Sequence, residues 1–474
     1  MENMKQTASV KSFHSTEVKS SAFSIGFEKL DRGLFDPEKA YDRVAELGVK
    51  WARVQSGWAR TEKVRGIYDF EWLDSIVDNL LRRGIQPWMC LCYGNGLYDE
   101  SAAKVFGAAG CPPVKTPEQK EAWFNYATAV GEHFKSRVRY YEVWNEPDGA
   151  GCWKHGVNGV EYGEFIINTA RGLHKSDPEA KIIGGCSCQH RSDWLLDMLS
   201  TGALEEMDAY SYHNYAPDEL DSVYWFRGIR TLCQTRKKEL KFIQGETGTQ
   251  SRPGGAGSLE GMPWTPLRQA KFLSRRLLTH MFEGVMINSY FSCVDMCEAL
   301  NGVVGDRKSY QDFGYFGVLS AVFDENGIAT GEYTPKPSFR ALQVLAAIFR
   351  EEFTMCDLPV RKIPQSSSPF LRREEDSWKD LITQGFTKPD GSSAFVYWKP
   401  CELITTSYEA TTTFECAGIA GTPRLIDLLT GNVYEIPENL IERKKHDILV
   451  FRNIPLRDFP LLLTFGDFAE TIPV

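Results

Sequence analysis

The chain has 474 residues and a formal net charge of −9. That length fits one large domain and one small one. The acidic balance excludes nucleic acid as a partner, because phosphate binding needs clustered positive charge.

Residues 1–21 are polar and lack the apolar run of a secretion signal, and no later run approaches the length of a membrane span. The expectation is a cytoplasmic protein with no membrane partner, or a periplasmic or secreted one if a leader has been removed. From Phe23 onward, short apolar runs alternate with helical patterns. The expected strands are Phe23–Phe27, Val49–Trp58, Gln86–Tyr93, Tyr140–Asn145, Lys181–Cys186, Met207–Tyr215, Lys241–Gly245 and Val285–Phe291. Each is bounded by Gly, Pro or polar clusters, as buried parallel strands are. Between them, Leu73, Ile76, Val77, Leu80 and Leu81 form one helical stripe, and Trp123, Tyr126, Ala127, Val130 and Phe134 another. Gly48, Gly84 and Gly284 stand where helices should end. Eight such alternations define a (β/α)8 TIM barrel over 22–350, with an open doubly wound sheet as the alternative.

Beyond residue 350 the pattern changes. Ala394–Trp398, Leu425–Leu429, Ile448–Phe451 and Leu461–Phe465 are short strand-like runs separated by Gly, Pro and Asp. They predict a small C-terminal antiparallel β-sandwich domain over 351–474. The segment Pro364–Pro369 is expected to be a loop, and residues 1–21 are a candidate extra strand for the β domain.

The chain has 12 Cys, most of them single and inside apolar runs. They read as buried thiols. The pairs Cys90/Cys92 and Cys186/Cys188 lack zinc spacing, so neither a metal nor a cofactor is expected. The 12 Trp and 19 Tyr serve core packing, and some of these rings are candidate platforms for sugars.

In a TIM barrel the C-terminal ends of the strands hold the active site. Strand 4 ends in Trp144-Asn145-Glu146-Pro147-Asp148, and strand 7 in Gly245-Glu246-Thr247-Gly248. Two carboxylates facing each other across one cleft are what glycosidic cleavage needs: one protonates the leaving oxygen, and the other attacks or activates water.

The run Val143-Trp144-Asn145-Glu146-Pro147-Asp148 resembles the strand-4 motif of clan A glycoside hydrolases, and with Trp before and Asp after it is similar to glycoside hydrolase family 39. The resemblance implies that Glu146 is the acid/base and that Asn145 contacts the sugar 2-hydroxyl. Arg53, at the end of strand 2, matches the clan's arginine near the nucleophile. His213-Asn214-Tyr215 is similar to the His-x-Tyr of family 5, whose Tyr bonds the nucleophile, here Glu246. Strand 7 is less distinctive than strand 4, and Tyr290-Phe291 stands where a Trp is common in the clan. Asn95, Trp58, Tyr290 and Trp264 are further candidate sugar contacts, placed by strand ends and their loops.

The implied activity is that of a retaining glycoside hydrolase, β-glycosidase or β-xylosidase-like and exo-acting, on a carbohydrate or glycoside substrate. A transglycosylase would use the same residues, and a non-catalytic carbohydrate-binding barrel would lack the pair. A metal-dependent barrel hydrolase needs His/Asp clusters on its strands, and Phe23–Phe27 has none.

Overall fold

A computed structural model describes residues 1, 4–103, 109–298, 312–363 and 381–474. The expected loop Pro364–Pro369 lies outside these.

Eight parallel strands close a barrel in chain order: Phe23–Gly26, Trp51–Gln55, Gln86–Leu91, Tyr140–Val143, Lys181–Ser187, Ala209–His213, Lys241–Glu246 and Ile287–Tyr290. They are barrel strands 1 to 8 below. Strand 8 pairs with strand 1 through Phe23–Asn288, Ser24–Ser289 and Ile25–Tyr290. The open sheet is therefore excluded. Strands 2 and 6 are shorter than expected. Gly57, at φ 55°, turns the chain after strand 2, and Trp58 opens the short helix Trp58–Thr61.

The surrounding helices follow from local chemistry. Asp36, Thr116, Asn158 and Thr265 each accept a backbone N–H in the first turn, and Pro37, Pro117 and Pro266 follow three of them. Such caps satisfy donors that have no partner within the helix, and proline costs nothing there. Helix Glu71–Arg82 buries Leu73, Ile76, Val77 and Leu80 against the barrel. Gly48, Gly84 and Gly284 end their helices with φ near 75°, a conformation that costs glycine least.

Two antiparallel sheets make up the second layer. The larger has eight strands, in the spatial order Thr354–Cys356, Ile382–Thr387, Ser393–Trp398, Leu461–Phe465, Pro423–Asp427, Asn432–Glu435, Gln6–Val10 and Thr471–Pro473. The smaller runs Val360–Lys362, Ala410–Ala417, Ile448–Leu456 and Ile441–Lys444. Phe395 and Tyr397 of the larger sheet meet Phe414 of the smaller at ring-centroid distances of 5.4 and 4.9 Å, so the two inner faces share one core. Gln6–Val10 lies between Asn432–Glu435 and Thr471–Pro473.

Helix Pro266–Phe282 joins the layers. Its Lys271 Nζ reaches Asp458 Oδ2 at 2.7 Å, and its Arg275 donates to both Glu219 and the carbonyl of Cys401. Among the described residues no helix is long and apolar enough to cross a membrane.

Candidate active site

Barrel register sets the site. Arg53 pairs with Gly26 on one side and Trp88 on the other, and His213 stands beside Glu246. His213 and Glu142 lie within their strands and reach the site, Glu142 by accepting from Arg53, whereas Trp144, just past strand 4, packs against Trp123 and Phe165. Trp144 and Glu146 both have positive φ, 69° and 51°. Neither residue type favours that region, and strain of this kind collects at functional sites. Here it follows immediately after strand 4 and turns Glu146 out of the strand direction.

Arg53 is wholly buried and is the hub of the site. Its Nε and Nη2 both donate to Glu142 Oε2, at 2.8 and 2.5 Å. Its Nη2 also donates to Asn145 Oδ1 at 2.9 Å. Its Nη1 donates to Glu246 Oε2 at 2.8 Å and to Glu28 Oε1 at 3.2 Å. Tyr215 Oη donates to the other Glu246 oxygen, Oε1, at 2.5 Å. Burial and the Glu246 charge hold the Tyr215 phenol well above its usual range, so it remains a donor.

His213 bridges the two glutamates. Its Nδ1 lies 3.0 Å from Glu146 Oε1 and 3.7 Å from Glu246 Oε2. Burial pushes the imidazole down, but the Glu246 charge and the Glu146 hydrogen bond outweigh it and raise its pKa. Burial pushes Glu246 up, and His213, Arg53 and the Tyr215 hydrogen bond together bring it below the ordinary carboxylate range. Glu246 is thus held as an anion, which suits a nucleophile. The Glu146 and Glu246 side chains remain 22% and 14% exposed, so both reach the cleft, whereas Arg53 and His213 do not.

One oxygen each from Glu146 and Glu246, with a nitrogen of His213, lie within 4.8 Å of one another. Such a trio has the donor types of a cation site. The Arg53 guanidinium, 2.8 Å from Glu246 Oε2, already places a positive charge on one of its carboxylates, which opposes a divalent ion there.

The structure therefore gathers Glu146, Glu246, Asn145, Arg53, His213 and Tyr215. The other four expected contacts, Trp58, Asn95, Trp264 and Tyr290, are buried with partners of their own. Trp58 is wholly buried, stacks between Tyr98 and Tyr126, and donates to Glu62 Oε2. Asn95 closes its own loop, donating to Glu62 O and accepting from Leu97 N. Trp264 donates to Leu259 O, and Tyr290 Oη accepts from Thr249 N. The three rings pack in the hydrophobic core, and Trp264 also lines a cavity with Met262, Arg268 and Leu403.

Sequence reasoning missed Glu142 and Glu28. A carboxylate inside the apolar strand Tyr140–Val143 was itself a signal, since charges are almost never buried without a partner. The strand-end rule, applied to strand 1, points to Glu28.

The class follows from this geometry: a closed barrel with Asn-Glu-Pro after strand 4 and a glutamate ending strand 7 has the architecture of clan A glycoside hydrolases. Residues 45–244 match the model of the glycosyl hydrolases family 39, and the chain is family 39-like. A β-xylosidase of Geobacillus stearothermophilus is 26% identical over 179 residues, 35% of this chain. The chain thus matches about a third, 35%, of that relative's length. A family 39 glycoside hydrolase from the gut symbiont Bacteroides cellulosilyticus WH2 has a similar fold, with a TM-score of 0.66, 18% identity, and 96% of this chain and 83% of that one covered. A monomeric β-xylosidase from Caulobacter crescentus CB15 superposes with a TM-score of 0.61 and 18% identity over 97% of each chain.

Proposed function

We propose that this protein is a retaining glycoside hydrolase of the β-glycosidase, β-xylosidase-like kind, acting on a carbohydrate or glycoside by double displacement. The observation that supports the reading is the pairing of the two carboxylates at the ends of strands 4 and 7, with one oxygen of each within 4.8 Å of the other, a close approach of the kind that a retaining pair makes. Retention needs carboxyl groups about 5–5.5 Å apart, and inversion needs about 6.5–9.5 Å to admit a water.

Glu246 attacks the anomeric carbon while protonated Glu146 gives its proton to the leaving oxygen. The glycosyl-enzyme ester forms as the glycosidic bond breaks. Glu146, now a carboxylate, takes a proton from water, which attacks the same carbon and returns Glu246 as the leaving group. Arg53 and Tyr215 each hold one Glu246 oxygen, orienting the nucleophile and accepting its charge on release. His213 holds one Glu146 oxygen, which leaves the other for the leaving group. Asn145 is fixed by Arg53 through Oδ1, so its amide nitrogen is the part available to a hydroxyl.

The test is Glu246→Ala on an activated aryl glycoside. Turnover should almost vanish, and azide should restore release of the phenol while forming a glycosyl azide of inverted configuration. An azide product with the substrate's configuration would sink the nucleophile assignment.

A further inference from the structure

One guanidinium faces three carboxylates in this barrel. Glu142 takes the Nε and Nη2 of Arg53, while Nη1 is divided between Glu246 at 2.8 Å and Glu28 at 3.2 Å. The Glu28 side chain is 2% exposed, and Glu142 is wholly buried. Even with His213 beside Glu246, three anions around Arg53 outnumber the positive charges that meet them, and each uncompensated buried charge costs several kcal/mol. One carboxyl must hold a proton.

The surroundings single it out. Glu142 receives two Arg53 contacts, at 2.8 and 2.5 Å. Glu246 has Arg53, Tyr215 and His213. Glu28 has only the 3.2 Å contact from Nη1; its Oε2, like Glu142 Oε1, is buried with no hydrogen-bond partner among the described residues, so it is the single long Arg53 contact that sets Glu28 apart from Glu142. Neutral carboxylic acids tolerate such a place and carboxylates do not. The place is also built for it. Glu28 folds back over Gly26, where a Cβ would collide with Oε2, so the glycine leaves the space that this carboxyl fills.

Other charged or titratable groups face it from the neighbouring elements. They are Arg53 of strand 2, Glu246 of strand 7 and the Cys293 thiol beyond strand 8, with the Lys29–Glu298 pair at 3.0 Å beside it. Lys29 is engaged by Glu298 and by the carbonyl of Cys297, and among the described residues Arg53 is the cation that contacts Glu28.

We propose that Glu28 is a positioning residue held protonated, so that Arg53 Nη1 serves Glu246, and that ionised Glu28 draws this nitrogen from the nucleophile and slows turnover. This rests on the glycosidase reading for its effect on turnover, though not for the proton itself. Burial pushes the Glu28 carboxyl up to about 7 against the pull of Arg53, and the Glu246 charge adds to the rise.

Glu28→Gln mimics the protonated acid and removes its titration. Turnover of an aryl glycoside by the variant should fall less on the alkaline side. Between about pH 6 and pH 8 it should keep up to about tenfold more of its turnover than wild type, the factor by which the protonated fraction of a group titrating at about 7 falls. A side chain that only filled space would shift activity equally at both pH values, and identical alkaline limbs would overturn the link to the nucleophile. Thermal unfolding supplies a readout independent of activity. A group raised from 4.5 to about 7 by folding stabilises the fold below the first value and loses that contribution as pH rises to the second. The melting temperature of Glu28→Gln minus that of wild type should therefore climb between those values and then level off. Parallel curves would overturn the protonation. If Glu28→Gln folds poorly, Glu28→Met, equally uncharged and of similar length, repeats both measurements. A wild-type protein that cleaves no glycoside would remove the proposed function, and the melting curves would still decide the state of Glu28.

Discussion

Tyr215 Oη donates to Glu246 Oε1 at 2.5 Å, from a strand-6 loop to the carboxylate at the end of strand 7. A hydrogen bond to a charged acceptor contributes about 1.5–3 kcal/mol. Tyr215→Phe keeps the ring against Phe316 and removes that bond alone. We expect kcat on an aryl glycoside to fall by about 10- to 100-fold, with stability falling by no more than that bond's contribution. A loss below about twofold would show that Arg53 alone orients the nucleophile.

Arg53→Lys tests the hub. Lysine keeps the charge but not the planar fork that serves Glu142, Asn145 and Glu246 together. It leaves Glu142 wholly buried with a poor partner. Breaking a buried pair of this kind costs about 3–5 kcal/mol, which denaturant unfolding would register alongside loss of turnover. Unchanged stability would mean that Glu142 is neutral in the fold.

His213 makes stability depend on pH. Its folded pKa is raised above 6.5 by Glu246 and Glu146 against its burial. A raised histidine contributes stability that is full below its unfolded value and is lost as pH rises through the folded one. The melting temperature of wild type minus that of His213→Asn should therefore be largest below about pH 6.5 and shrink above it. A difference that grows with pH would place His213 neutral in the native state.

Trp58 separates packing from recognition. Trp58→Ala should cost about 3–5 kcal/mol in stability, the usual result of emptying an aromatic site in a core. The ring is wholly buried between Tyr98 and Tyr126, so KM for an aryl glycoside should stay within about twofold of wild type where the variant is folded. A tenfold rise in KM at unchanged stability would return Trp58 to the sugar site.

The barrel was legible because each parallel strand is buried on both faces and writes itself as an apolar run between breakers. The β layer was less so. Strands such as Asn432–Glu435 and Ile441–Lys444 are short and partly exposed, and their pairing is set by partners far away in the chain. Thus the strand Gln6–Val10 could be offered only as a candidate within the polar residues 1–21, since its neighbours are residues 432–434 and 471–473.

The site divides along the same line. Glu146 sits in a motif that reads directly, and Glu246, Arg53 and Tyr215 follow from the strand-end rule. Glu28 and Glu142 matter through Arg53, a relation that exists only once strands 1, 2 and 4 are in register. Trp58 and Trp264 were read from their places near strand ends, and both rings are buried. An aromatic ring near a strand end can face the cleft or the packed layer behind it, and composition does not distinguish the two.

The place of Gln6–Val10 in the large sheet bears on how the molecule is made. On the ribosome this strand emerges hundreds of residues ahead of its partners; Gln6 and Asn432, joined side chain to side chain, are 426 positions apart. The barrel can form while the strand is still unpaired, with both edges open to other chains. Closing so long a loop is slow. Nascent molecules on neighbouring ribosomes would thus risk exchanging this strand with one another until Asn432–Glu435 and Thr471–Pro473 are in place.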